Sequence, residues 1–151
     1  MRETTTITDP MVVRILIVDD HDIVRQGVRS ILRGRSGWEV CGEAENGIEA
    51  LEKIAALKPD VVVLDLSMPG KDGLAVAAEL ANRKAPCKTL VLTMHNSTGV
   101  ASAIEKTGAH GYVVKSHAAQ HLVRAIETIL DGGVFFAIDP TQSRGHLAGP
   151  A

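Results

Sequence analysis

The chain contains short, strongly apolar runs separated by segments with a different periodicity. Four of these runs are rich in β-branched residues and have the length of buried parallel strands. They occupy residues 12–18, 61–64, 89–92 and 111–114, and a fifth candidate strand covers Glu39–Ala44. The pattern therefore predicts five strands.

The segments between and after these runs carry apolar residues at every third or fourth position, which is typical of amphipathic helices. The series start near Ile23, Ile48, Leu74, Val100 and Leu122. Strands that alternate with helices are joined by right-handed crossovers and form a parallel sheet. We therefore expect an α/β fold of the (βα)5 type, with five helices packed on a five-stranded parallel sheet.

The limits of the folded domain follow from where the periodicity stops. A chain of 151 residues, of which 45% are hydrophobic, suits one domain. Asp131-Gly132-Gly133 ends the last predicted helix. We expect a disordered leader over residues 1–10, a folded domain over residues 11–133, and a linker or flexible tail over residues 134–151 that holds no DNA-binding domain.

Composition narrows the classes of function. A net charge of −2 and an aromatic content of 3% disfavour a surface that binds nucleic acid. No apolar run reaches the about 20 residues needed to cross a membrane, and the first residues lack the apolar core of a signal peptide. We therefore expect a cytoplasmic protein that makes no direct contact with DNA or membranes.

Polar residues of different chemical kinds follow or end the four apolar runs. Asp19 and Asp20 follow the first run, Asp65 the second, Thr93 the third and Lys115 the fourth. The carboxyl ends of the strands line the ligand site in open parallel sheets. We therefore expect these side chains to share one pocket.

This set of side chains suits a phosphoryl group. Three carboxylates in one pocket repel each other, and Mg²⁺, a hard cation with oxygen ligands, is the natural counter-ion. Lys115 adds positive charge and Thr93 adds a hydroxyl donor, and together they complement a tetrahedral dianion. The chain has no P-loop and no GxGxxG motif to hold a nucleotide, and Asp65 is the nucleophile central to the cluster. The residues therefore predict an aspartyl phosphate at Asp65.

The same residues, in the same order, resemble the receiver domain of two-component response regulators. The resemblance spans residues 12–131 and implies a flavodoxin-like, doubly wound sheet of strand order 2-1-3-4-5. It is carried by Asp19-Asp20, Asp65-Leu66-Ser67-Met68-Pro69-Gly70-Lys71-Asp72-Gly73, Thr93 and Gly108-Ala109-His110-Gly111-Tyr112-Val113-Val114-Lys115.

The resemblance also implies a reaction. A sensor histidine kinase or phosphotransfer protein would pass a phosphoryl group from a phosphohistidine to Asp65, with Thr93 and Lys115 as the other catalytic residues. Tyr112 would turn inward when Thr93 moves toward the phosphoryl group, although a half-buried sheet aromatic is the simpler interpretation of this tyrosine. The implied Mg²⁺ ligands are Asp20, Asp65 and the backbone carbonyl of Ser67, with Asp19 acting through water.

Residues 92–95, 111–115 and 129–134 look most like receivers of the NarL/FixJ (LuxR-type) subfamily, which normally precede a C-terminal helix-turn-helix. A further domain would need at least about 50 residues, more than the predicted tail contains. We therefore expect either a stand-alone receiver or the regulatory half of a transcription regulator, with homodimerisation as one response to phosphorylation.

Two other functions are compatible with parts of the pattern. Phosphohydrolases of the haloacid dehalogenase kind carry an acid two residues after the aspartate nucleophile, but Ser67 stands at that position. A receiver that binds proteins without taking phosphate is disfavoured because no residue of the cluster is missing. We therefore expect a signalling module that catalyses only its own phosphorylation and dephosphorylation and is not otherwise an enzyme.

Overall fold

A computed structural model describes residues 12–68, 70–94 and 97–136, and strands alternate with helices through these ranges. The strands are β1 (Val13–Val18), β2 (Trp38–Ala44), β3 (Val61–Asp65), β4 (Lys88–Thr93), β5 (Gly111–Val114) and β6 (Phe135–Phe136). The helices are α1 (Asp22–Arg33), α2 (Gly47–Leu57), α3 (Gly73–Asn82), α4 (Thr98–Lys106) and α5 (Ala118–Leu130), and a 3₁₀ turn at Lys115–His117 precedes α5. The predicted leader over residues 1–10 and the part of the predicted tail beyond residue 136 lie outside the described residues.

Within the described ranges the strands form one parallel sheet of order β2-β1-β3-β4-β5-β6. The order of the first five strands is the expected one, but the expected number of five strands was wrong. The additional strand, β6, pairs with β5 and lies inside the segment predicted to be a tail over residues 134–151. Two residues are too few to produce a periodic pattern, so local sequence carries little signal for this strand.

The sheet is covered on both faces, and this explains why its central strands are continuously apolar rather than alternating. Leu16 and Val18 of β1 face the core formed with α2, α3 and α4. Ile15 and Ile17 face the opposite core, formed with α1 and α5. Among the helices of the described ranges, none is long and apolar enough to span a membrane.

The start of α3 lies directly against the end of β3. Asp72 caps the helix, and its carboxylate accepts a hydrogen bond from the backbone N–H of Ala75 at 3.0 Å. A Cβ atom at Gly73 would lie 2.1 Å from the carbonyl oxygen of Asp65, so this position tolerates no side chain without a backbone shift. The close approach holds the loop after Asp65 at the carboxyl edge of the sheet.

Candidate functional site

The carboxyl edge of the sheet brings three of the predicted residues into direct contact. The ammonium Nζ of Lys115 lies 3.0 Å from Oδ2 of Asp19 and 2.9 Å from Oδ1 of Asp65. The side chain of Lys115 is 13% exposed, while those of Asp19 and Asp65 are 0% and 3% exposed. Two buried carboxylates therefore share one cation, which is an expensive arrangement unless further positive charge compensates it.

The other predicted residues lie around this contact. Thr93 ends β4 and is fully buried, and it pairs in register with Val114, the residue before Lys115. Ser67 is exposed in the loop after β3, and its backbone donates a hydrogen bond to the carboxylate of Asp65. Asp20 follows Asp19 and is partly exposed at the mouth of the site.

Asp19, Asp20 and Asp65, here called the carboxylate cluster, can converge on one ion. Together with His21 they offer ligand atoms that all lie within 4.8 Å of one another. Among the described residues, Oδ2 of Asp19 and Oδ1 of Asp20 are buried and accept no hydrogen bond. Their contacts with Lys115 at 3.0 Å and with His21 at 3.1 Å have the distance of an ion pair only. Carboxylate oxygens that accept no hydrogen bond fit a hard cation such as Mg²⁺.

His21 is a further potential metal ligand at this site, and the sequence interpretation missed it. Its Nδ1 lies 3.1 Å from Oδ1 of Asp19 and 3.1 Å from Oδ1 of Asp20, and its side chain is largely exposed. The signal was its position directly after the aspartate pair, where the chain turns into α1. The imidazole therefore borders the opening of the site toward solvent.

Arg25 is a second residue that the sequence interpretation missed. Although it belongs to α1, its guanidinium group is buried and donates a hydrogen bond of 2.6 Å to the backbone carbonyl of Asp19. It also contacts the carboxylates of Glu43 at 2.8 Å and Asp22 at 3.0 Å. Arg25 therefore fixes the loop that carries the first two carboxylates, and nothing in the local sequence distinguishes it from a solvent-facing helix arginine.

Burial and charge set the protonation of the central pair. Burial and the neighbouring charge of Asp19 raise the pKa of Asp65, and the cation of Lys115 and the Ser67 hydrogen bond offset only part of that rise. Burial by itself lowers the pKa of Lys115, but its ion pairs with Asp65 and Asp19 outweigh this and leave the pKa raised. The ion pairs therefore favour the cationic form of Lys115, and further positive charge at the site would favour the anionic form of Asp65.

Tyr112 lies inside the protein, so the half-buried interpretation does not apply. Its side chain is fully buried, and among the described residues its hydroxyl has no hydrogen-bond partner. It pairs in register with Val91, two residues before Thr93. The inward position is the one that the resemblance assigns to the switched state, and the switching role itself stays a prediction.

We expect Mg²⁺ to stabilise the fold, because a ligand that binds only the folded state raises the free energy of unfolding by about 2.7 kcal/mol at a hundred times its Kd. Asp20→Asn removes one anionic ligand and should reduce this gain, while Asp131→Asn, in an exposed position after α5, should retain it. Thermal unfolding in a Mg²⁺ titration, with EDTA as the zero point, measures both variants. If Mg²⁺ stabilised Asp20→Asn as much as the parent protein, the assignment of Asp20 as a Mg²⁺ ligand would be contradicted.

Comparison with known proteins identifies the family. The response regulator receiver domain profile matches residues 15–127. The response regulator UvrY of Escherichia coli O6:H1 is 38% identical over 130 residues, which cover 86% of this chain and 60% of UvrY. The transcriptional regulatory protein DegU of Brevibacillus brevis is 34% identical over 123 residues, which cover 82% of this chain and 52% of DegU. The chain thus spans about half to three fifths of the length of these relatives.

Solved structures of response regulators are similar to this chain. The signal receiver domain of the putative response regulator NarL from Mycobacterium tuberculosis has a TM-score of 0.77 and 35% identity, covering 82% of this chain and 99% of that domain. A LuxR-family two-component response regulator from Aurantimonas sp. SI85-9A1 has a TM-score of 0.80 and 36% identity, covering 88% and 94% of the two chains. The chain therefore belongs to the response regulator receiver domain family, and it is a receiver of the NarL/LuxR type.

Proposed function

We propose that Asp65 is the phosphoacceptor of this receiver and that a sensor histidine kinase or a phosphotransfer protein is the donor. The observation that carries the proposal is the placement of Asp65, a buried carboxylate held 2.9 Å from the ammonium group of Lys115 at the carboxyl edge of the sheet. A buried carboxylate is costly for the fold, and costly groups of this kind cluster at functional sites. Oδ2 of Asp19 and Oδ1 of Asp20, which accept no hydrogen bond from the described residues, would supply acceptor atoms for a counter-ion.

The reaction is a phosphoryl transfer. An oxygen of Asp65 forms a bond to phosphorus while the P–N bond of the phosphohistidine breaks, and the bonding electron pair stays on the imidazole nitrogen. Lys115 neutralises charge on the transferred group, and the hydroxyl of Thr93 is the donor for one of its oxygens. Mg²⁺, held by Asp20, Asp65 and the backbone carbonyl of Ser67 with Asp19 acting through water, would supply the remaining charge neutralisation.

Turnover is limited to the protein's own phosphoryl group. Ser67 occupies the position two residues after Asp65 at which haloacid dehalogenase phosphohydrolases carry an acid. Without that acid, water has no assigned proton-transfer partner for rapid hydrolysis of the aspartyl phosphate. The phosphorylated state therefore persists long enough to be read as a signal.

The signal leaves the site through Thr93 and Tyr112. Movement of Thr93 toward the phosphoryl group makes room for the tyrosine ring inside the sheet edge, which biases a two-state equilibrium on the surface formed by α4, β5 and α5. One named relative, DegU, is a transcriptional regulatory protein. We infer that this receiver acts in the cytoplasm to control transcription through an output domain, with homodimerisation on phosphorylation and no DNA contact of its own.

Incubation with acetyl phosphate and Mg²⁺ tests the proposal. We expect one phosphoryl group per chain, stable in acid and labile in base, because an acyl phosphate hydrolyses readily at high pH. EDTA should prevent its formation, and the mass increase should map by peptide analysis to the segment that contains Asp65. Labelling that is independent of Mg²⁺, or that maps to a serine or a histidine, would contradict the assignment.

A further inference from the structure

The short strand β6 covers the outer edge of β5. Phe135 and Phe136 pair in register with Gly111 and Tyr112, and the backbone N–H of Phe135 donates a hydrogen bond of 3.0 Å to the carbonyl of His110. A strand of two residues has little stability of its own, so its position depends on the surface that receives it.

Gly111 is the residue that allows β6 to come this close. A Cβ atom at this position would lie 2.0 Å from the carbonyl oxygen of Phe135 and 3.0 Å from its backbone nitrogen. Because both are backbone atoms, no side-chain rotation could relieve the clash. Any other residue at position 111 would force the backbone of β6 to shift relative to β5.

The two phenylalanines lie on opposite faces of the sheet. Phe135 packs with the core formed by α1 and α5, and the guanidinium carbon of Arg124 lies 5.7 Å from its ring centroid. Phe136 packs with the other core, and its ring centroid lies 5.9 Å from that of Tyr112. Only Phe136 therefore forms a ring contact with the tyrosine.

Burial of the Tyr112 hydroxyl disfavours the inward position of the ring, and the contact with Phe136 offsets part of this cost. The side chain of Tyr112 is 0% exposed, and its hydroxyl is buried without a hydrogen bond among the described residues. An unpaired buried hydroxyl is destabilising, so the apolar contacts of the ring must compensate for it. Phe136 supplies one of these contacts from outside the five central strands.

We propose that β6 is a detachable edge strand that responds to the position of Tyr112 through Phe136. The strand is held on β5 when Tyr112 is inward and is released when the ring turns out, so the state of the site sets whether this edge of the sheet is covered. The inference rests on the proposed function, since it takes the inward position of Tyr112 to be favoured by phosphorylation of Asp65.

Linkage makes the coupling reciprocal. If occupation of the Asp65 site favours inward Tyr112, and inward Tyr112 favours docked β6, then the phosphoryl mimic beryllofluoride must tighten β6. Equally, a change that removes β6 must weaken the binding of beryllofluoride by the same factor. The two directions can be measured separately on the full chain.

Hydrogen exchange of the Phe135 amide measures the first direction. Addition of beryllofluoride and Mg²⁺ should slow this exchange by about fivefold, a typical size for coupling between two sites. Chemical-shift changes of the Leu66 and Ser67 amides, which flank Asp65 in sequence, report in the same sample whether the mimic has bound. Unchanged exchange at Phe135 in a sample with the mimic bound would overturn the proposal.

Substitutions measure the second direction. Gly111→Ala shifts the backbone of β6 and Phe136→Ala removes the ring contact, so both should weaken beryllofluoride binding by about fivefold. Gly27→Ala is the matched control, because a Cβ atom there meets nothing within 4 Å. In a Tyr112→Leu background, which retains an apolar side chain but removes the aromatic ring, Phe136→Ala should have no further effect. Equal affinity in Gly111→Ala, Phe136→Ala and the parent protein would overturn the proposal.

The outcomes separate this inference from the function on which it rests. If the parent protein binds beryllofluoride at Asp65 while the Phe135 amide and the two substitutions show no effect, the coupling to β6 is wrong and the phosphoacceptor assignment stands. If the parent protein does not bind the mimic at all, the phosphoacceptor assignment fails and the coupling fails with it.

Discussion

Replacement of Asp65 by asparagine should abolish phosphorylation of the protein. The amide retains the volume of the carboxylate but has no anionic oxygen to attack phosphorus, and no other carboxylate at the site sits at the end of the central strand β3. Incubation with acetyl phosphate and Mg²⁺, followed by intact-mass measurement, should show no added phosphoryl group. If folded Asp65→Asn were still phosphorylated, the assignment of Asp65 as the nucleophile and the interpretation of the site as a phosphoryl site would both be wrong.

Stability provides the control for this substitution. Burial and the charge of Asp19 raise the pKa of Asp65, which means that ionisation of this group disfavours the folded state. The free energy of unfolding of the parent protein therefore falls as pH rises through the raised pKa of Asp65. Asparagine does not ionise, so the free energy of unfolding of Asp65→Asn does not fall for this reason. We expect the variant to be at least as stable as the parent at neutral pH, and Asp131→Asn to label normally.

Replacement of Lys115 by methionine should damage both stability and reactivity. The variant retains an unbranched side chain but leaves the buried carboxylates of Asp19 and Asp65 without their shared cation. Loss of one partner of a buried ion pair destabilises proteins by about 3 kcal/mol. Loss of a positioned charge that stabilises the transition state should reduce the labelling rate by roughly a hundredfold. Urea unfolding and the time course of labelling measure the two effects.

The pH dependence distinguishes an electrostatic effect of Lys115→Met from a loss of packing. Without the cation the pKa of Asp65 rises further, so labelling should require a higher pH than in the parent protein. The stability deficit should be largest at neutral and alkaline pH and should shrink as pH falls through the raised pKa, because a protonated carboxyl needs no counter-charge. Lys106→Met, at an exposed position in α4, should change neither property. A deficit that is independent of pH would indicate packing instead.

The order of elements and the location of the site could be predicted from the sequence because both depend on local patterns and one topological rule. Continuous apolar runs identified the buried strands, and the residues after them had to meet because the carboxyl ends of parallel strands share an edge. The ammonium group of Lys115 accordingly lies 3.0 Å from the carboxylate of Asp19 and 2.9 Å from that of Asp65.

The side chains that support these residues could not be predicted in the same way. His21 contacts Asp19 and Asp20 where the chain turns into α1. Arg25 contacts both the backbone of Asp19 and the carboxylate of Glu43 in β2. These contacts depend on the directions of side chains relative to neighbouring elements. A pattern of hydrophobic and polar positions contains no information about those directions.

By itself, then, the sequence determined the alternation of strands and helices, the parallel sheet and the edge at which Asp65 and its neighbours gather, because each follows from periodicity and chain direction. Only the tertiary structure decided that a sixth strand joins that sheet and that Tyr112 is buried with a hydroxyl that finds no hydrogen-bond partner in the described part of the chain. The physical reason is that β6 has too few residues for an intrinsic preference. Its pairing depends on the absence of a side chain at Gly111 and on the faces presented to its two phenylalanines.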